Sequence, residues 1–448
     1  MNNDNNTNTL QIINPDAAGI DIGSKSHYVC VPQDRDKEYV RRFGSFTDDL
    51  HKIADWLKKC GIKTIAMEST SVYWIPVYQI LEQRGFKVYL VNAKHVKNVP
   101  GRKSDVQDAQ WLQKLHSCGL LQSSFRPEDS VCVLRSYIRQ RERLIKNSTT
   151  HVFRIQKALT EMNVQLRNVI TDITGTTGMA IIRAIIGGER DPVKLAKFRD
   201  YRIKSSEETI IKSLQGDYRK EHIFVLKQEF ELYMGYLKKI EEIDIEIEGH
   251  YKDFEPKGNE VIKDDSKRTG SNRPKFNLKQ ELYNMTGLDF STIPGLNVLT
   301  IQTIISEVGT DMSQWKSENH FASWLGLSPA NKITGEKVFS TRTRKVINRA
   351  STAFRIAAAA AGKTKTAIGS FMRRIKISKG TPKAITATAR KIACLFYRLL
   401  KFGQVYVEQG MSNYEQKYKN KLVQSLEKRA KELGFILTAE NTENQYVI

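Results

Sequence analysis

Apolar and polar positions alternate along "AAGIDIGSKSHYVCVP" (17–32), a stretch rich in β-branched and aromatic side chains. The pattern predicts a strand that runs into a hairpin, with "EYVRRFGSF" as the return strand. In "TDDLHKIADWLKKCG" (47–61) apolar residues recur at helical spacing between Thr47, the expected N-cap, and a closing Gly61. A buried strand "KTIAMEST", an amphipathic helix around "VYWIPVYQILEQRG" and a second buried strand "KVYLVNA" follow. A hairpin followed by strand–helix–strand predicts an α/β domain, a mixed sheet flanked by helices in the ribonuclease-H-like manner.

Beyond residue 125 the period becomes helical. "VCVLRSYIRQRERLIKNSTTHVFRIQKAL" (131–159) reads as one long helix, on which Arg135, Arg139, Arg141, Arg143 and Lys146 suit a phosphate-facing surface. "YMGYLKKIEEIDIEIEGHYKDF" (233–254) has the spacing of a coiled-coil partner or dimer arm. "EPKGNEVIKDDSKRTGSNRPKFN" (255–277) is polar and aperiodic, as a linker is. In "STIPGLNVLTIQTIISEVG" (291–309), Pro294 and Gly295 precede a helix as in a helix-hairpin-helix element, whose turn offers backbone N–H groups to a phosphate. The expected segments are an α/β domain over 1–125, a helical, coiled-coil middle over 126–254 and a linker over 255–285. A mostly α-helical DNA-binding domain over 286–407 and a helical tail over 408–448 complete the chain.

Charge narrows the class. The chain has 448 residues, a formal charge of +22 and a pI near 9.6, a balance suited to a polyanionic partner. No run of about 18 apolar residues occurs and the N-terminus is polar, so neither a membrane span nor a signal peptide is expected. Cysteines 30, 60, 118, 132 and 394 form no CxxC pair, which suits a reduced cytoplasm and argues against zinc. From Lys337 to Val407, 71 residues contain 17 Lys and Arg and no Asp or Glu. A surface normally mixes signs, so this tract is expected to meet DNA or RNA. Lys337, Arg342, Arg344, Lys345 and Arg349 within it, Lys332 just before it, Gly295, and Arg102 and Lys103 in "GRKSD" are the candidate nucleic-acid contacts.

Four carboxylates carry the candidate chemistry. Asp21 sits in the first strand and Glu68 at the C-terminal end of "TIAME", where ligands of α/β sheets usually bind. Asp105 and Asp108 are three apart, on one face of the helix that "SDVQDAQWLQ" predicts. If that helix crosses the strand ends, four anions converge, an arrangement tolerable only around cations; two Mg²⁺ are expected, with Mn²⁺ as a substitute. "GIDIGS" alone would also suit the phosphate loop of an actin-like ATPase, but that fold's second glycine-rich loop and adenosine motif are missing.

These residues, in "GIDIGS", "AMEST" and "RKSDVQDA", resemble the DEDD transposases, the RuvC-like enzymes of the insertion-sequence one-hundred-and-ten and eleven-eleven families. The resemblance extends to "LGLSPANKITGEKVFSTRTRK" (325–345). There it implies a serine before glycine as the nucleophile that attacks DNA. In this chain the position is Thr334, before Gly335, a β-branched and more crowded hydroxyl; Ser340 in the same loop is the alternative. The resemblance further implies a transposase or site-specific recombinase of an insertion sequence. It implies a bacterial, cytoplasmic, nucleoid-associated protein, a noncoding guide RNA, and a homo-oligomer, dimer or tetramer. Two other readings compete: a stand-alone structure-selective nuclease like a Holliday-junction resolvase, which would use the carboxylates alone, and a nucleic-acid-binding protein without catalysis.

Overall fold

The computed structural model describes residues 11–92, 104–262, 272–335 and 337–438. Two compact units divide the chain, residues 1–126 and 127–448.

In the first unit the strands β1 (Ala17–Ile22), β2 (Ser26–Cys30), β3 (Val40–Gly44), β4 (Thr64–Glu68) and β5 (Lys87–Val91) form one sheet of order β3-β2-β1-β4-β5. β1 is antiparallel to β2 and parallel to β4, and β4 is parallel to β5. The helices are α1 (Thr47–Lys59), α2 (Trp74–Gln83) and α3 (Asp105–Ser117). Because side chains alternate across a strand, the two faces of the sheet collect different residues. Ile20, Ile65 and Met67 pack with Ile53 and Leu57 of α1 and Leu81 of α2. Ala66 and Val91, turned the other way, pack with Leu112 of α3. Leu57 is fully buried, so Leu57→Ala would cost about 2–5 kcal/mol. One expectation is corrected: Thr47 is the first residue of α1 and Phe46 stands at the cap without a side-chain bond. Asp48 and Asp49 face the positive helix end instead.

The second unit is helical. α4 (Asp129–Glu161) and α9 (Lys220–Lys252) have 33 residues each, about 50 Å of helix. They run antiparallel, since Arg141 on α4 pairs with Asp244 and His151 pairs with Glu229. The short helices α5 (Leu166–Val169), α6 (Thr176–Ile186), α7 (Pro192–Ala196) and α8 (Glu207–Ser213) close over one end of the pair, in a core that includes Ile155, Ile182, Leu195 and Leu226.

Then follow α10 (Leu278–Thr286), α11 (Val298–Val308), α12 (Glu318–Trp324), the hairpin β6 (Lys332–Thr334) and β7 (Lys337–Ser340), α13 (Arg349–Ala361), α14 (Ala367–Lys379), α15 (Thr381–Phe402) and α16 (Gln404–Glu432). Phe396 of α15 is the centre of this core, with its ring centroid 5.0 Å from that of Phe290 and 5.5 Å from that of Phe354.

Two further expectations change here. The phosphate-facing reading of α4 fails for three of its arginines. Arg141 and Asp244 form a buried ion pair, Arg139 holds the Glu307 carboxylate at 2.9 and 2.7 Å, and Arg135 donates to the Ser306 and Glu307 carbonyls. A helix end leaves carbonyls unsatisfied, and Arg135 supplies donors to those of α11. The linker expected over 255–285 contains α10, whose start is fixed by Asn277 accepting from the Gln280 N–H at 3.2 Å; residues 263–271 lie outside the described residues.

Candidate carboxylate centre and basic tract

Asp21 is the fifth residue of β1, half-buried among fully buried neighbours. Ile20 pairs with Met67 in the parallel ladder, so the next residues, Asp21 and Glu68, leave adjacent strands at the same level. The Thr70 hydroxyl donates to Glu68 at 3.2 Å.

α3 reaches the same place by a close crossing. A Cβ on Gly19 would lie 2.3 Å from the Gln113 nitrogen and 2.5 Å from the Ala109 carbonyl oxygen, so only glycine lets α3 lie this near β1. Gln113 also donates to the Ala17 carbonyl at 3.3 Å, and the N–H groups of Ile13 and Asn14 donate to the Ser117 carbonyl. The C-terminal end of α3 thus lies at the start of β1, and its N-terminal end points toward the strand end that carries Asp21. Gly19 and Asp21 share a face, two residues apart. Ser104 caps α3 by accepting from the Gln107 N–H at 3.4 Å, and Asp105 and Asp108 occupy the first turn, where the helix dipole favours anions.

The electrostatic result is visible at Asp21. Its carboxyl is pushed up to about 6 from an ordinary 3.8, first by burial and then by the charges of Asp105, Asp108 and Glu68. All three other carboxylates therefore lie within electrostatic reach of Asp21. Among the described residues no three acidic, imidazole or thiol groups already close on one ion-sized point. The donor set nevertheless fits a hard divalent cation: it is all carboxylate oxygen, and Asp21, half-buried like Glu68 and Asp108, resists ionisation. Mg²⁺ or Mn²⁺ held by Asp21, Glu68, Asp105 and Asp108 would supply positive charge to a phosphodiester.

In the second unit, Thr334 pairs with Lys337 at the exposed tip of the β6–β7 hairpin, and Gly335 makes the turn at φ +52°. Ser340, at the other end of β7, is partly buried and its hydroxyl accepts from the Arg342 N–H at 3.2 Å. Arg342, Lys337 and Lys345 are not in any ion pair among the described residues. Arg344 donates to Ser323, at 2.9 Å to its carbonyl, and Arg349 pairs with Glu142. Gly295 has φ +91°, and a Cβ there would lie 2.2 Å from the Ala357 carbonyl oxygen, so its close packing on α13 alone requires glycine. Arg102, Lys103 and the side chain of Lys332 lie outside the described residues.

Sequence reasoning had not singled out Gly19, although its place two residues before Asp21 in "AAGIDI" was a usable signal. It also passed over Lys383, Arg390 and Lys391, which lay within the acid-free tract but had no periodicity to set them apart.

Comparison with known families gives the class, a DNA-processing enzyme. A transposase model of the IS110 DEDD type matches residues 18–164, and a model of the transposase IS116/IS110/IS902 family matches residues 289–371, together half of the chain. The chain belongs to the IS110 family of DEDD transposases, and is thus an insertion-sequence transposase, an enzyme that binds and moves DNA. No curated protein matches it. No helix of the described residues is long and apolar enough to cross a membrane.

Proposed function

We propose that this transposase cleaves and joins DNA strands with two sets of groups, the four carboxylates of a RuvC-like, ribonuclease-H-like first unit and a hydroxyl of the β6–β7 loop. The observation that carries the reading is the raised pKa of Asp21, held near 6 by burial and by Asp105, Asp108 and Glu68. Four carboxylates in reach of one another, three of them half-buried, favour a cation between them. Asp21, Glu68, Asp105 and Asp108 are the ligands for Mg²⁺, and Mn²⁺ substitutes.

The Thr334 oxygen attacks phosphorus and forms an ester with the DNA. The bond from phosphorus to the neighbouring nucleotide's oxygen breaks, and that oxygen leaves with the proton as a free hydroxyl. Joining reverses the exchange: a DNA hydroxyl attacks the ester and Thr334 recovers its proton. Lys332, Lys337, Arg342 and Lys345, with Arg102 and Lys103, contact phosphates, whereas Arg344 and Arg349 are committed to Ser323 and Glu142; Gly295 offers a backbone contact in a helix-hairpin-helix turn. A noncoding guide RNA selects the DNA and the protein works as a homo-oligomer in the bacterial cytoplasm; the resemblance to the family supports this reading.

One observation favours a second nucleophile. Ser340 lines a cavity of about 1430 Å³ in the second unit, and Thr334 does not. A denaturing gel for protein–DNA adducts decides between them. Thr334→Val keeps the shape and removes the oxygen, so the adduct should vanish while DNA stays bound. Loss of the adduct in Ser340→Ala with retention in Thr334→Val would move the role to Ser340. No adduct from the wild-type protein on a DNA that it cleaves without joining would reject the hydroxyl mechanism and leave the stand-alone nuclease reading, with carboxylates alone.

A further inference from the structure

A half-open cavity of about 1430 Å³ lies in the second unit, walled by α14, α15, the first turns of α16 and the segment from Ser340 to Thr343. Small-molecule sites are usually roughly 300–1,000 Å³, so this one suits a segment of polymer better than a single small ligand. Leu327, Ile368, Leu395, Val407 and Met411 give it apolar surface.

Its charge is one-sided. Arg342, Lys383, Arg390, Lys391 and Arg398 line it, against one carboxylate, Glu318, which Arg398 already neutralises. Lys391 is held rather than mobile: its Nζ lies 4.2 Å from the Phe371 ring centroid and 4.4 Å from that of Tyr414, and 2.9 Å from the Tyr414 hydroxyl. Two rings fix that ammonium and no carboxylate among the described residues neutralises it. Lys383 and Arg342 likewise take part in no ion pair there. Tyr406, also on the wall, is 54% exposed, and among the described residues its ring meets one other, that of Phe402.

Fixed cations beside apolar walls and an exposed aromatic ring match a chain that offers phosphates and base faces together. A duplex keeps its base faces stacked and shows only their edges in the grooves, so it could meet the rim and not the interior. An unpaired strand offers both, and aromatic stacking with a cationic groove is how such strands are bound without sequence reading. Ser340 and Thr341 on the same wall set hydroxyls from the proposed nucleophile loop beside the bound segment. The strand that is cut is DNA, and it must part from its complement before exchange. We infer that this cavity holds a short unpaired stretch of DNA, with phosphates on Lys391, Lys383 and Arg342 and a base against Tyr406. The inference rests on the strand-exchange chemistry proposed above.

The test uses the full chain and three probes of one sequence: a paired DNA duplex, the same duplex with a short unpaired bubble carrying 2-aminopurine, and a single-stranded RNA. The bubble should bind more tightly than the duplex, with 2-aminopurine quenched. Tyr406→Ala should weaken bubble binding roughly 5- to 100-fold and relieve the quenching, with duplex binding unchanged. Tyr406→Phe should restore both, which a loss of fold would not allow. Lys383→Gln should weaken bubble binding more than duplex binding.

Equal affinity for bubble and duplex, or an equal effect of Tyr406→Ala on both, would overturn the inference. So would an RNA bound more tightly than the bubble with the same dependence on Tyr406. An acidic peptide that displaced the bubble without displacing the duplex would do the same. The outcomes stay separate from those of the proposed function: strand joining that persists while bubble and duplex bind alike sinks only this inference, and Tyr406-dependent bubble binding by a protein that never forms a DNA ester sinks only the hydroxyl mechanism.

Discussion

The acidic centre of the first unit and the basic tract of the second carry the same physical problem with opposite signs. Each gathers like charges within electrostatic reach of one another. At the acidic centre the repulsion is concentrated: Asp105, Asp108 and Glu68 act on one half-buried group, and the Asp21 carboxyl rises to about 6. In the basic tract it is spread over 17 cations in 71 residues, only two of which, Arg349 and Arg398, reach an acidic partner among the described residues. Concentrated charge suits a small, dense counter-ion, and spread charge suits a long one. α4 is the useful contrast. Its arginines looked like part of the spread charge, but Arg135, Arg139 and Arg141 are spent on Glu307, Asp244 and helix-end carbonyls. A cation count marks a nucleic-acid surface only where acidic partners are missing.

The largest effect should come from the concentrated side. Replacing Asp105 and Asp108 together by Ala should reduce recombination roughly 1000-fold or more, since a bound metal supplies several kcal/mol of charge stabilisation. The protein should remain folded by circular dichroism and still bind DNA. Recombination at the wild-type rate would break the comparison, because the acidic residues would then be ordinary first-turn charges on α3.

The spread side predicts a graded change. The slope of log affinity against log salt falls by about 0.9 for each phosphate contact removed on a duplex. Arg342→Gln with Lys345→Gln should flatten it by roughly two units, and adding Arg344→Gln should change it little, because Arg344 is committed to Ser323. A third full step on adding Arg344→Gln would show that the Ser323 contact gives way to phosphate.

The smallest effect is a pH dependence. The folded pKa of Asp21, about 6, lies above its ordinary 3.8, so the fold binds this proton better than the unfolded chain. Without divalent cations, its charged form weakens the fold above about pH 6, and the penalty fades as pH falls toward 4. His116 works in the opposite sense. Burial, with a smaller effect from Lys87, pushes it down to about 4 from 6.5, so its stabilising neutrality is lost as pH falls through that window. Melting of the wild-type protein alone would mix the two, and the difference from Asp21→Asn separates them. The variant should be more stable at about pH 7, by about 1 kcal/mol after allowance for the group's partial exposure, and the gap should shrink near pH 5. A gap that does not change with pH would mean that Asp21 titrates normally.

Much of this architecture was legible from period alone. The alternation of 17–32, the helical spacing of 47–61 and the apolar runs at "KTIAME" and "KVYLV" correspond to β1, β2, α1, β4 and β5, because a buried face repeats wherever a strand or helix has one neighbour. What period could not give was partnership between distant residues. The approach of α3 to β1 depends on the missing Cβ of Gly19, ninety residues before Ala109 in the chain. Glu307 and Asp244 are equally remote from the arginines they bind, so a one-dimensional reading saw only exposed cations. The walls of the cavity come from several stretches between Glu318 and Tyr414, and no single one outlines it.

The central claim is that the Asp21 carboxylate belongs to a site for a divalent cation, and metal binding to the DNA-free protein tests it most directly. Titration calorimetry with Mn²⁺, run beside thermal melts, should show saturable binding to the wild-type protein with a rise in melting temperature. Asp21→Asn and the Asp105→Ala, Asp108→Ala variant should each lose both the heat and the rise. Mn²⁺ bound with equal affinity and an equal rise in melting temperature in all three proteins would contradict the account.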